Sequence, residues 1–121
     1  MKSNTRGFTL IELLIVMLLI SILTSIAVPQ LFGTKQRTYV ASMRNDLRNL
    51  ETAQEAYYVD HVTYAAALAD LANTLIVSPG VTIAIDSASQ TGWGATATHV
   101  ATAVVCNVAV TRTFQGVPVC P

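Results

Sequence analysis

The sequence predicts an α+β protein: a long N-terminal α-helix, one half membrane-like and the other amphipathic, packed against a small antiparallel β-sheet head. Three observations carry this prediction. From Phe8 to Val28 there is one ionisable side chain, Glu12. From Tyr39 to Tyr57 apolar residues recur at gaps of three and four, through Met43, Leu47, Leu50 and Ala53, the spacing of one helix face. Val81-Thr82-Ile83-Ala84-Ile85-Asp86 then alternates as a half-buried strand does.

The first element follows from length. At about 1.5 Å per residue, the run from Phe8 to Val28 makes a helix roughly 31 Å long, enough to cross a bilayer. Before it stand Lys2 and Arg6 and no acid, so the N-terminus is expected on the cytoplasmic side and the remainder outside. A secretory signal peptide has a shorter apolar stretch and a small-x-small cleavage site after it. Ala27-Val28-Pro29 fits that site poorly. Pro29 lacks an N–H and clashes with the preceding turn, which predicts a kink or local unwinding. Beyond it the amphipathic stripe carries the helix on to about Tyr58, with Arg37, Arg44, Asp46, Arg48, Glu51 and Glu55 on the other faces.

In the head, Asp60 to Tyr64 reads as a loop and Ala65 to Leu75 as a short helix with Leu68, Leu71 and Leu75 on one face. Ser78-Pro79-Gly80 is a turn signal. After the alternating strand, Trp93 to Ala101 and Ala103 to Thr111 are β-favouring runs joined by a hairpin near Ala101-Thr102. Three or four antiparallel strands result, over a core of Leu47, Leu50, Tyr57, Leu68, Leu71, Val81, Ile83, Ile85, Trp93, Val104 and Val108. The expected divisions are residues 1–7, a basic prefix that the resemblance given below makes a leader; 8–29, a transmembrane helix; 30–58, an amphipathic helix; and 59–121, the head.

Composition narrows the function classes. The chain has 121 residues and zero formal net charge, so it is one domain with no bulk attraction for polyanions. Lys35, Arg37, Arg44 and Arg48 form a basic stretch, but interleaved acids make it read as a solvated face or an inter-subunit charge pattern; nucleic acid stays open as a partner. His61 and His99 lack the neighbouring ligands of a zinc spacing. There is no nucleophile elbow and no glycine-rich phosphate loop. The chain is read as a non-enzyme, with no catalytic residue, metal or cofactor. Cys106 and Cys120 both fall in the exported part, where a disulfide is expected over two unrelated buried thiols. A loop of about 15 residues would contribute roughly 3 kcal/mol in the chain-entropy account.

Arg6-Gly7-Phe8-Thr9-Leu10-Ile11-Glu12-Leu13-Leu14-Ile15-Val16 resembles the cleavage motif of type IV prepilins and of the pseudopilins of type II secretion. Further likenesses are Tyr57-Tyr58-Val59-Asp60 with Thr63-Tyr64, the run Gly92 to His99, and the two cysteines. The resemblance implies a prepilin peptidase that cuts between Gly7 and Phe8 and N-methylates Phe8. It gives Glu12 and Pro29 the places of the family's assembly residues. Its implied partners are other copies of the chain in a helical filament, the inner-membrane assembly machinery, and the membrane before assembly. Its implied location is the inner membrane as a single-pass protein, then a surface pilus or a periplasmic pseudopilus.

Glu12 has two readings. A carboxylate in a membrane span costs about 2.5–3.5 kcal/mol at the centre and less near the interface, so a shallow, tolerated position is one. In the other, which the resemblance favours, the ammonium created at Phe8 meets the Glu12 of a neighbouring subunit and sets the axial register. Three functions follow: a type IV pilus subunit as the main reading, a secretion pseudopilin as the alternative, and a solitary membrane-anchored binding domain as a less favoured third.

Overall fold

A computed structural model describes residues 7–121. The expected leader, except Gly7, lies outside the described residues, as do Lys2 and Arg6. The elements are α1 (Leu10–His61), a 3-10 turn at Leu68–Leu71, and strands β1 (Val81–Ala88), β2 (Gly92–His99) and β3 (Thr102–Thr111). The chain divides into two compact units, Met1–Lys35 and Gln36–Pro121, and α1 contributes to both.

In the first unit the helix runs through Pro29 without a break, so of the two outcomes the sequence left open, local unwinding is absent. Leu, Ile, Val and Met cover its sides and are all exposed in the single chain. Its hydroxyls are satisfied inside the helix. Ser21 Oγ donates to the Met17 carbonyl at 2.7 Å, Thr24 Oγ1 to that of Ile20 at 2.9 Å, and Ser25 Oγ to that of Ile22 at 2.7 Å. Polar groups bonded to their own backbone impose little cost on an apolar surrounding.

In the second unit the amphipathic half of α1 packs against a three-stranded antiparallel sheet of order β1-β2-β3. The register aligns Ile83 with Ala97 and Cys106, Ile85 with Ala95 and Val108, and Trp93 with Val110, so alternation puts these side chains on one face. The small Ala95 and Ala97 of the central strand leave room for Met43, Leu47 and Leu50, which are fully buried. Of the expected core, Leu47, Leu50, Leu71, Ile83, Trp93 and Val108 are buried, while Tyr57, Leu68, Val81, Ile85 and Val104 pack half-buried around them. A short outer pairing, Asn107 with Val119, lays the segment before Cys120 along β3.

Three expectations are corrected. The helix ends at His61, three residues beyond Tyr58, where Val62 turns left-handed (φ 56°) and its N–H reaches back to the Tyr58 carbonyl. The helix expected over 65–75 shrinks to the four-residue turn Leu68–Leu71. At Ala65, the expected start of that helix, the side chain of Gln54 bonds both the N–H and the carbonyl, each at 2.8 Å, and so ties the segment back to α1. Asp46, expected on a solvated face, is buried (1% exposed). It accepts from the Ser78 N–H and the Ser78 hydroxyl, each at 2.9 Å. Gln54 and Asp46 thus pin the two ends of the 65–78 loop to α1.

Candidate functional site: the start of the long helix

Thr9 is the first residue before α1, and Glu12 is the third within it. The Thr9 N–H and hydroxyl both donate to Glu12 Oε2, at 2.8 and 2.9 Å. The Glu12 N–H donates in return to Thr9 Oγ1 at 3.3 Å. This is a reciprocal capping box, which satisfies helix-start donors that no carbonyl reaches. Such caps contribute about 0.5–2 kcal/mol, and more is at stake where no water can replace them. Sequence reading missed Thr9, although a Thr-x-x-Glu spacing ahead of an apolar run is its signal. Oε1 takes no part in the cap.

Gly7 and Phe8 lie just outside the box. A side chain built on Gly7 would meet nothing within 4 Å, so packing in this chain does not demand glycine there. Phe8 is 89% exposed, and the peptide bond joining the two is open. Breaking that bond would leave Thr9, its N–H and the cap intact. Pro29 lies 17 residues beyond Glu12, roughly 25 Å along the helix, so these two expected assembly residues do not form one site.

In the head the structure joins Cys106 to Cys120. Among the described residues no three His, Cys, Asp or Glu side chains gather as metal ligands. His99 stacks on Tyr39 (centroids 4.3 Å apart) and His61 on Tyr57 (3.9 Å). Arg112 lies over the Tyr58 ring, which tilts against Tyr64. Tyr64 donates from its hydroxyl to Glu55 at 2.9 Å, and burial, with that carboxylate beside it, raises its phenol pKa. Of the basic stretch, Arg44 is turned to the disulfide, its Nε 3.3 Å from Cys120 Sγ.

Comparison with known proteins gives the family. A family model described as the prokaryotic N-terminal methylation motif matches residues 2–28. The type IV wide pilus major component PilA4 of Thermus thermophilus is 35% identical over 98 residues, 79% of this chain and 75% of that protein. The chain belongs to the type IV pilin and pseudopilin family. Other members it resembles are the type II secretion system core protein G of Klebsiella michiganensis and the type IV major pilin protein PilA of Myxococcus xanthus. The first is 34% identical over 80 residues, 66% of this chain and 56% of that protein. The second is 36% identical over 76 residues, 63% and 33% respectively. The match thus spans about half the length of the secretion protein and a third of the Myxococcus pilin. In this pilin-family chain the matched motif coincides with the open Gly7–Phe8 bond and the capped start of α1.

Proposed function

We propose that this chain is a structural subunit of a type IV pilus. A prepilin peptidase cuts it after Gly7 and N-methylates Phe8, the apolar half of α1 holds it in the inner membrane with its N-terminus cytoplasmic, and assembly machinery then moves it into a helical filament. The observation that carries the proposal is the start of α1: an exposed scissile bond directly ahead of a capped helix whose apolar sides are left uncovered among the described residues. Such a helix exchanges lipid for neighbouring helices at little free-energy change per residue, which suits reversible assembly. A pseudopilin in a type II secretion system is the second reading, favoured by the 34% identity to core protein G. It uses the same cut, helix and packing.

In either filament the ammonium at Phe8 pairs with Glu12 of a neighbour. Because Glu12 also caps its own helix, the two roles must be separated. Glu12→Gln keeps the capping acceptor and removes the charge; Thr9→Ala weakens the cap and keeps the charge. We expect Glu12→Gln and Glu12→Leu to be processed yet to yield about tenfold less filament in sheared surface fractions, with Thr9→Ala near wild type. Normal filament yield from Glu12→Gln would refute the charge pairing and leave Glu12 with its cap alone.

A further inference from the structure

We propose that Cys120 is the exchange-reactive sulfur of the Cys106–Cys120 pair and that Arg44 stabilises its thiolate. The two sulfurs stand in unlike places. Cys106 is wholly buried in the middle of β3, opposite Ala97. Cys120 is half-buried on the segment that the Asn107–Val119 pairing, with both bonds at 2.9 Å, holds along β3. A reagent coming from solvent therefore meets Cys120 first.

Arg44 adds a chemical asymmetry. Its Nε donates to Cys120 Sγ at 3.3 Å. A disulfide sulfur is a weak acceptor, so that bond does little while the bridge is closed. Once the bridge is open, the same sulfur can carry a full negative charge, and a neighbouring guanidinium favours the thiolate form. The next cation along α1 is Arg48, one turn on. Val105 and Asn107 beside Cys106 carry no charge, and an apolar burial site disfavours a thiolate. The basic side chain that the sequence placed on a solvated face or in an inter-subunit charge pattern thus acquires a role in the head.

The exchange runs as two displacements. The Cys120 thiolate attacks one sulfur of a disulfide oxidant, R–S–S–R, forming Cys120–S–S–R and releasing a thiolate that takes a proton from water. Cys106 then gives its thiol proton to solvent and attacks the Cys120 sulfur, closing the bridge and releasing the second thiol. Two protein thiols are oxidised and the oxidant is reduced to two thiols. In reverse, attack at the accessible Cys120 must expel a thiolate into the apolar site of Cys106, so the closed bridge resists reduction.

Lowering a thiol pKa by about one unit raises its thiolate fraction near neutral pH about tenfold, while its intrinsic nucleophilicity falls about threefold, a net gain of about threefold. The test uses the full chain in detergent, reduced and then pulsed with iodoacetamide at pH 7, with peptide masses reporting each cysteine. Cys120 should react first, about threefold more slowly in Arg44→Gln, and at the wild-type rate in Arg44→Lys. With native Trp93 emission retained after reduction, equal rates at the two cysteines, or no change in Arg44→Gln, overturn the proposal. Where reduction opens the head, the oxidised chain decides: glutathione followed by an alkylating quench should leave its adduct on Cys120. An adduct on Cys106, or on both equally, overturns the proposal.

Discussion

Replacing Asp46 with alanine tests how the head is fastened to the long helix. The Asp46 carboxylate is buried and accepts two bonds from Ser78, one from its N–H and one from its hydroxyl, each at 2.9 Å. Hydrogen bonds to a charged group contribute about 1.5–3 kcal/mol each. Ser78 is only half-buried, so water recovers part of the loss, and about 2–4 kcal/mol is expected for Asp46→Ala. At about 4–8 °C per kcal/mol for a small domain, the melting temperature should fall by about 8–32 °C. Asp46→Asn keeps an acceptor for the Ser78 N–H, and its amide can donate to Ser78 Oγ, so it should cost only about 1 kcal/mol. Trp93 is the single tryptophan and is 2% exposed, so its emission shifts to the red as the head opens. Urea and thermal melts of the full chain in detergent, followed through Trp93, give the difference. An Asp46→Ala protein within 0.5 kcal/mol of wild type, or an Asn variant as unstable as the Ala variant, would refute the fastening role.

Three further outcomes follow. Gly7→Val should block processing, because the structure leaves ample room for the new side chain and only the peptidase objects; mature-length protein on a blot would contradict this. Gly116→Ala should destabilise the head by more than 2 kcal/mol, an overpacking cost of the usual size, because the added carbon would collide with the Ala109 carbonyl oxygen of β3; wild-type urea melts would show that the segment shifts freely. Tyr64 has a raised phenol pKa in the fold, so its contribution is fully present below the ordinary value of 10.0 and is lost as pH rises through the higher folded value. Stability should therefore decline above about pH 10, and Tyr64→Phe should flatten that decline in melts taken across alkaline pH.

Much of the fold was legible in the sequence because its signals are periodic. The three-and-four spacing from Tyr39 to Tyr57 named the buried helix face, and the alternation from Val81 to Asp86 named β1. Every residue expected in the core is buried or packed against it. The misses share a cause: they depend on partners distant in sequence. Asp46 and Gln54 look like surface residues by polarity, and become interior ones only because Ser78 and Ala65, 32 and 11 positions on, bring backbone groups to them. The same bonds fasten the two ends of the segment whose leucine spacing suggested a longer helix. Arg44 was hidden in the same way, since its neighbour Cys120 is 76 positions distant. At the candidate site the motif around Gly7 was legible, while the Thr9–Glu12 box was signalled by spacing and went unread.

The central claim is that this chain is cut after Gly7 and built into a surface filament. Intact mass, taken in parallel on the sheared surface fraction and the membrane fraction of the native host, tests it most directly. The predicted result is a mass equal to N-methyl-Phe8 through Pro121, less two hydrogens for the disulfide, abundant in the sheared material. The same processed mass confined to membranes would contradict an abundant pilus subunit and favour a pseudopilin or a scarce minor pilin, and a chain still beginning at Met1 would contradict processing itself.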